Sequence, residues 1–347
     1  MQEGRDRRCR GRRVESGIWR GGKMIRTKKN PYCHLCGTNG KALCEGLRDY
    51  LFFAEGAWSF FRCANPECGL VWLNPAPLAE DIHEAYETYY THDKRGTGKN
   101  AVGNFMTRAS GILHDGLTAA LLLKRSRKKL YGMYLGDTPP GRLLEVGCGN
   151  GERLAMFRKT GWAVYGQEVD EKCVKNALDR FGIEIRLGEL GNLGYPDNFF
   201  DAVVLNHVIE HVHEPLLLMS KCFQLLKPGG VLTVVTPNNE SSGLKYFKEN
   251  WRGLEPPRHI HIFNISSLNA GAAQAGFDLF KTRTTAVNAE TIAYGSLRIA
   301  YEKRRGGRRP GQKIIVRIMS FYYQILFTLI NFFDERSGEE CVLKATK

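Results

Sequence analysis

RLLEVGCGNGERL, Arg142 to Leu154, crowds three glycines into five residues directly after an apolar run. An apolar run that breaks into such a turn and resumes with helical spacing reads as strand, turn and helix. The turn is bare of side chains, so backbone can approach a ligand. Outward from it the pattern repeats. RLLEV, AVYGQEV, IEIRLG, FDAVVLN and VLTVVTP read as strands, and GERLAMFRKTG, DEKCVKNALDRFG and EPLLLMSKCFQLLKPGG as helices between them. Strict alternation predicts an α/β fold: a parallel sheet covered on both faces, with the ligand at the carboxyl ends of the strands.

Gly147, Gly149 and Gly151 alone would suit a dinucleotide as well. Two acids narrow the choice. Glu145 sits at the strand end before the first glycine, where a carboxylate would repel a pyrophosphate and welcome a cationic ligand. Glu168 closes the second strand 17 residues after Gly151, placed to accept both hydroxyls of a ribose.

The chain has 347 residues, 43% hydrophobic and 25% charged, enough for a sizeable core and more than one folding unit. Of its formal net charge of +14, much lies in residues 1–23, where eight Lys or Arg face only Glu3, Asp6 and Glu15. That basic, apolar-poor segment is expected to be disordered, and Met24 opens a more ordinary start. A nucleic-acid-binding arm is the weaker reading of it. No apolar stretch follows its arginines, so a secretory signal is not expected and the cytoplasm is the expected compartment. Ten cysteines there point to metal ligation or spectator thiols rather than disulfides.

Cys33 and Cys36 in CHLC, then Cys63 and Cys68 in CANPEC, form a C-x2-C, 26 residues, C-x4-C arrangement, each pair followed by a glycine. Four thiolates in two knuckles suit a closed, structural zinc site. His34, inside a knuckle, is expected on the surface rather than among the ligands. After GLVWLNPAP, a short strand, residues 78–93 and 100–135 show helical spacing, and the basic run Lys124–Lys129 reads as a solvated face.

The stretches LLEVGCGNG, VYGQEVD, YPDNFFDAVVLNHVIEHVHEP, LLKPGGVLTVVTPN and PPRHIHIFN, with the cysteine pairs and CGLVWLNPAP, resemble the class I S-adenosylmethionine-dependent methyltransferases, in a branch with an N-terminal zinc knuckle. The resemblance covers residues 31–280 and implies a Rossmann-like seven-stranded sheet of order 3-2-1-4-5-7-6, its last strand antiparallel. The units expected along the chain are a basic segment 1–30, a zinc knuckle 31–77, a helical linker or cap 78–137, the donor-binding core 138–286, a helical insertion 287–336 and a final strand 337–347. Glu145, Gly147, Gly149 and Gly151 match the motif that holds the methionine portion. Glu168 matches the ribose acceptor, Glu189 and Leu190 the position beside adenine, and Asn206 and His207 end the fourth strand next to the methyl group.

Methyl transfer from a sulfonium needs a nucleophile held in line and, for a hydroxyl, a proton acceptor. His259 is expected as that base, its loop facing the donor methyl, with His207 as second choice; Trp251 and Arg258 are expected to shape the acceptor pocket. The expected acceptor is a small molecule, either a sugar or glycan precursor or a hydroxylated hydrophobic compound. Nucleic acid is disfavoured because NHVI stands where amino-directed enzymes carry an Asn/Asp-Pro-Pro-aromatic tetrapeptide. A noncatalytic binding module is the third reading.

KIIVRIMSFYYQILFTLINFF has the length of a membrane span, yet Arg317, Ser320, Gln324, Thr328 and Asn331 recur every three or four residues as one polar stripe. A helical insertion covering the site, or a homodimer contact, is the expectation. Peripheral membrane contact through 303–333 is the alternative, given the basic EKRRGGRRPGQK before it.

Overall fold

The computed structural model describes residues 25–86, 123–305 and 312–347. The N-terminal basic segment and most of the expected cap therefore lie outside the described residues. In chain order, the elements begin with β1 (Thr27–Lys28), β2 (Gly40–Leu47), β3 (Trp58–Cys63), β4 (Val71–Leu73) and β5 (Ala76–Pro77), then a 3-10 turn at Ile82–Tyr86. There follow α1 (Leu123–Tyr131), β6 (Arg142–Val146), α2 (Glu152–Lys159), β7 (Ala163–Glu168), α3 (Glu171–Phe181) and β8 (Ile185–Leu187). Next come β9 (Phe200–Asn206), α4 (Pro215–Leu225), β10 (Leu226–Pro237), α5 (Ser242–Phe247), β11 (His261–Ile262) and α6 (Ile265–Gln274). The chain closes with β12 (Leu279–Thr285), α7 (Ala289–Arg305), α8 (Gln312–Phe333) and β13 (Glu340–Thr346).

Seven strands form one sheet in the order β8-β7-β6-β9-β10-β13-β12, with β13 antiparallel to both neighbours. Numbered within the core this is 3-2-1-4-5-7-6, the implied topology. β6 and β9 are apolar without alternation because helices cover both faces, and Leu143, Leu144 and Val203 to Leu205 are wholly buried. Local chemistry sets the helix ends: the Asp170 side chain accepts from Lys172 N to start α3, and Gly182 ends it in the left-handed region.

One boundary differs from expectation. The helix read through LLKPGG stops at Leu225, since Pro228 cannot continue it, and Leu226 already enters β10 with a register break before Val231.

The cysteine-bearing segment does not stand apart from the core. β2 and β3, not read as strands from the sequence, join β4 and β11 in a four-stranded sheet of order β11-β4-β3-β2. β11 belongs to PPRHIHIF, far along the chain, and pairs His261 with Trp72. Cys33, Leu35, Cys63, Cys68 and Trp72 share one apolar cluster with Leu205 and Phe263.

α7 and α8 pack together between β12 and β13, which pair with each other. Lys313–Phe333 is long and apolar enough to cross a membrane by length and composition. Both ends of this helical pair nevertheless return to one sheet edge. The polar stripe on α8 faces inward, Arg317 excepted: Gln324 is wholly buried, donates to Ala286 O and accepts from Glu290 N. Asn331 donates to Thr284 Oγ1. Ile315, Ile318, Tyr322, Leu329, Phe332 and Phe333 are left outside, the last 83% exposed.

Candidate functional site

The glycine turn joins β6 to α2 at the carboxyl edge of the sheet, with φ of 62°, 55° and 73° at Gly147, Gly149 and Gly151. Side chains are excluded on two counts. The backbone is left-handed, and a Cβ at Gly147 would lie 2.7 Å from Val208 Cγ2, one at Gly151 2.9 Å from Ala177 Cβ. The turn is tied to the end of β7: Gly147 N donates to Gln167 Oε1 at 3.1 Å and Gly149 N to Glu168 Oε2 at 2.8 Å. Glu168 Oε1 also accepts from Val169 N and Asp170 N. The expected ribose acceptor is thus also the residue that shapes the turn.

Glu145 is buried, and its Oε1 accepts from Arg153 Nη1 at 2.8 Å. Its Oε2 has no hydrogen-bond partner. Burial pushes this carboxyl up to about 7, against the pull of Arg153. In the orientation that satisfies its amide, Asn206 accepts from the same guanidinium at 3.1 and 3.3 Å. Glu189 is exposed after β8, and Leu190 is buried beside it.

A cavity of about 450 Å³ opens here, lined in part by Arg127, Tyr131, Arg153, Asn206, His207 and Asn288. The run expected to be a solvated basic face thus contributes Arg127 and Lys128 to the wall.

Both histidines expected to take a proton are placed otherwise. His207 lines the cavity at φ 54°, but its Nδ1 lies 3.0 Å from Glu210 Oε1 and its Nε2 2.9 Å from Glu340 Oε1. Burial disfavours its charge, yet the bonds and charges of the two carboxylates prevail and raise the imidazole to about 10. Held as a cation with both nitrogens engaged, it has no lone pair to offer. His259 is buried outside the cavity lining, its Nδ1 2.7 Å from Gly253 O, and burial with the neighbouring His211 holds it well below the usual range.

Nor do Trp251 and Arg258 shape that cavity. Trp251 is buried and donates to Glu339 Oε2. Arg258 is wholly buried, donating to Glu255 Oε1 at 3.0 Å, Asp49 Oδ2 at 2.7 Å and Ala85 O at 2.9 Å. Glu340 and Asn288, which donates to it, escaped sequence reasoning because only β13 pairing brings them to His207.

The four cysteines come together. Cys33 and Cys68 sulfurs lie 3.6 Å apart and those of Cys36 and Cys63 3.4 Å apart, all four within 4.8 Å of one another. None is in a disulfide. Tetrahedral zinc with bonds of about 2.3 Å sets sulfurs about 3.8 Å apart, close to this spacing. Gly37 and Gly69 both take positive φ, as the tight turns require. His34 is not at the surface but half-buried, edge-on to His261 with centroids 4.5 Å apart.

A family model described as a methyltransferase domain matches residues 118–282. A probable S-adenosylmethionine-dependent methyltransferase of Mycolicibacterium smegmatis is 33% identical over 141 residues, 40% of this chain and 53% of the relative. A ubiquinone biosynthesis O-methyltransferase of Parvibaculum lavamentivorans is 27% identical over 154 residues, 40% of this chain and 59% of that protein. A solved S-adenosylmethionine-dependent methyltransferase from Archaeoglobus fulgidus superposes with a TM-score of 0.42 at 19% identity, covering 66% of this chain and 94% of that one. The chain spans about half the length of the curated relatives it matches. The matched segment carries the glycine turn and both acids, and over it the chain is similar to S-adenosylmethionine-dependent methyltransferases.

Proposed function

We propose that the protein transfers a methyl group from S-adenosylmethionine to a small-molecule acceptor, a sugar or glycan precursor or a hydroxylated hydrophobic compound. The observation that carries this is Glu145 Oε2, a buried carboxylate oxygen without a partner beside a side-chain-free turn. An orphaned acceptor of that kind is costly unless a donor group completes it, and the ammonium of the methionine portion would. Glu168 would hold the ribose, Glu189 and Leu190 the adenine, and Asn206 the edge facing the methyl group. The donor, when bound, supplies the electrophilic carbon; the chain's own residues orient it and wall the acceptor from water.

Incubation with labelled donor and a fractionated cell extract, followed by mass identification, tests the reading. Label in a small molecule is expected. Label in nucleic acid, with binding that falls steeply as salt rises, would replace it with the second class. Donor binding without any labelled product would leave a noncatalytic module.

Cys33, Cys36, Cys63 and Cys68 would hold a structural zinc. Cys33→Ser with Cys36→Ser should lower zinc content by about one per chain in elemental analysis; unchanged content rejects the site.

The outward face of α8 is assigned to the inner surface of the membrane, its apolar residues flanked by exposed Lys313 and Arg317. The protein would then work in the cytoplasm, peripheral to the bilayer. Phe332→Ser with Phe333→Ser should abolish sedimentation with anionic vesicles; unchanged sedimentation, or a doubled particle mass that the substitutions halve, would instead make this face bare of lipid or a homodimer contact.

A further inference from the structure

We propose that Glu210, His211 and His259 form a second metal site, for a divalent first-row transition ion. One ligand atom from each lies within 4.8 Å of the others. The two rings meet edge-on, with centroids 4.7 Å apart.

The tautomers follow from the backbone. His211 Nδ1 lies 3.0 Å from Arg258 O and equally far from the Tyr86 hydroxyl, which can accept beside it, and His259 Nδ1 lies 2.7 Å from Gly253 O. A carbonyl can only accept, so both Nδ1 atoms carry the proton and both Nε2 atoms are lone-pair donors. Imidazoles fixed in this way by a backbone carbonyl are the usual form of metal-binding histidine. The carboxylate is prepared in the same sense. Glu210 is wholly buried, and His207 Nδ1 and Thr236 Oγ1, at 3.0 and 2.9 Å, orient its two oxygens while each keeps a lone pair. Glu255 Oε2 stands 3.6 Å from His259 Nε2 as a further oxygen.

Neighbouring cations do not bar an ion. Arg252 and Arg258 are matched by Glu255 and Asp49, and His207, which shares Glu210, is matched by Glu340 as well. Two imidazoles and one carboxylate suit zinc, cobalt, iron or manganese better than magnesium or calcium, and three protein ligands leave positions open to water or a hydroxyl.

Glu210 bonds His207, which lines the cavity, so the ion would stand behind the cavity wall and fix His207 through the shared carboxylate. That positioning role rests on the methyl-transfer reading; the ion binding does not.

The test is a cobalt(II) titration of the chelated full chain without donor. The wild type is expected to take up about two ions, one at the cysteines with a sulfur-to-cobalt charge-transfer band and one without it. Glu210→Gln and His259→Gln should each lose only the second ion, the retained thiolate band reporting a folded chain. Uptake of a single thiolate-bound ion by the wild type, or two ions in both variants, would overturn the site. Because no donor is present, a failed methyltransferase assay and a failed metal site remain separate results.

Discussion

At the donor side of the cavity, the shaping contacts are local: Gly149 to Glu168 spans 19 residues of chain, and Glu145 to Arg153 only 8. Across the cavity the contacts are remote. His207, on the wall, is held by Glu340 from 133 residues away, and behind the wall Arg258 is held by Asp49 from 209. A locally built half can keep its shape while distant parts of the chain change; a half assembled from the cysteine-bearing segment, the core and the final strand stands or falls with the tertiary structure. The two halves should therefore fail in different ways.

The largest effect is expected where the remote half depends on one buried charge. Arg258→Ala leaves Asp49 buried without its guanidinium and Glu255 with Arg252 alone, and should cost about 3–5 kcal/mol of stability. Denaturant unfolding measures it, with donor affinity preserved below the transition. A loss of donor affinity in the still-folded variant would break the division between halves. Next is Glu168→Ala, which removes the anchor of Gly149 and, on the proposed reading, the charge-assisted hydrogen bonds to the ribose. It should weaken donor binding roughly a hundredfold. Calorimetry showing unchanged affinity would remove Glu168 from the site.

The same division explains what was legible in the sequence. Turn, acids and strand-helix alternation are short-range patterns, so the parallel α/β sheet and the placement of Gly147, Gly149, Gly151 and Glu168 could be read before any contact was known, while the order of the strands followed only from the family resemblance. His259 could not. PPRHIHIF announces a loop after the fifth core strand, but which way a side chain leaves it is set by Gly253 O and by β11 pairing with β4. α8 teaches the same lesson. Periodicity reveals a polar stripe, while only the backbone groups at Ala286 and Glu290, which need partners, turn it inward. His207 ends β9 as expected, yet its ionisation is decided by Glu340 on a strand far along the chain.

The smallest of the effects sharpens the comparison within the local half. Glu145 is the one donor-side acid whose charge the fold resists: burial lifts it to about 7, above the ordinary carboxyl range, while Arg153 pulls the other way. A carboxyl raised on folding favours the folded state in its protonated form. This contribution is full below the unfolded pKa and fades as pH rises through about 7. The donor's ammonium requires the opposite form, the carboxylate. Between pH 7.5 and 6, then, donor affinity should fall by about tenfold as the carboxyl takes up its proton, and Glu145→Gln should flatten that slope at the lower affinity. Calorimetry at the two pH values decides it. Equal slopes in the wild type and the variant would mean that Arg153 alone satisfies Glu145 and the ammonium binds elsewhere, leaving Glu168 as the only acid of the pair that touches the donor.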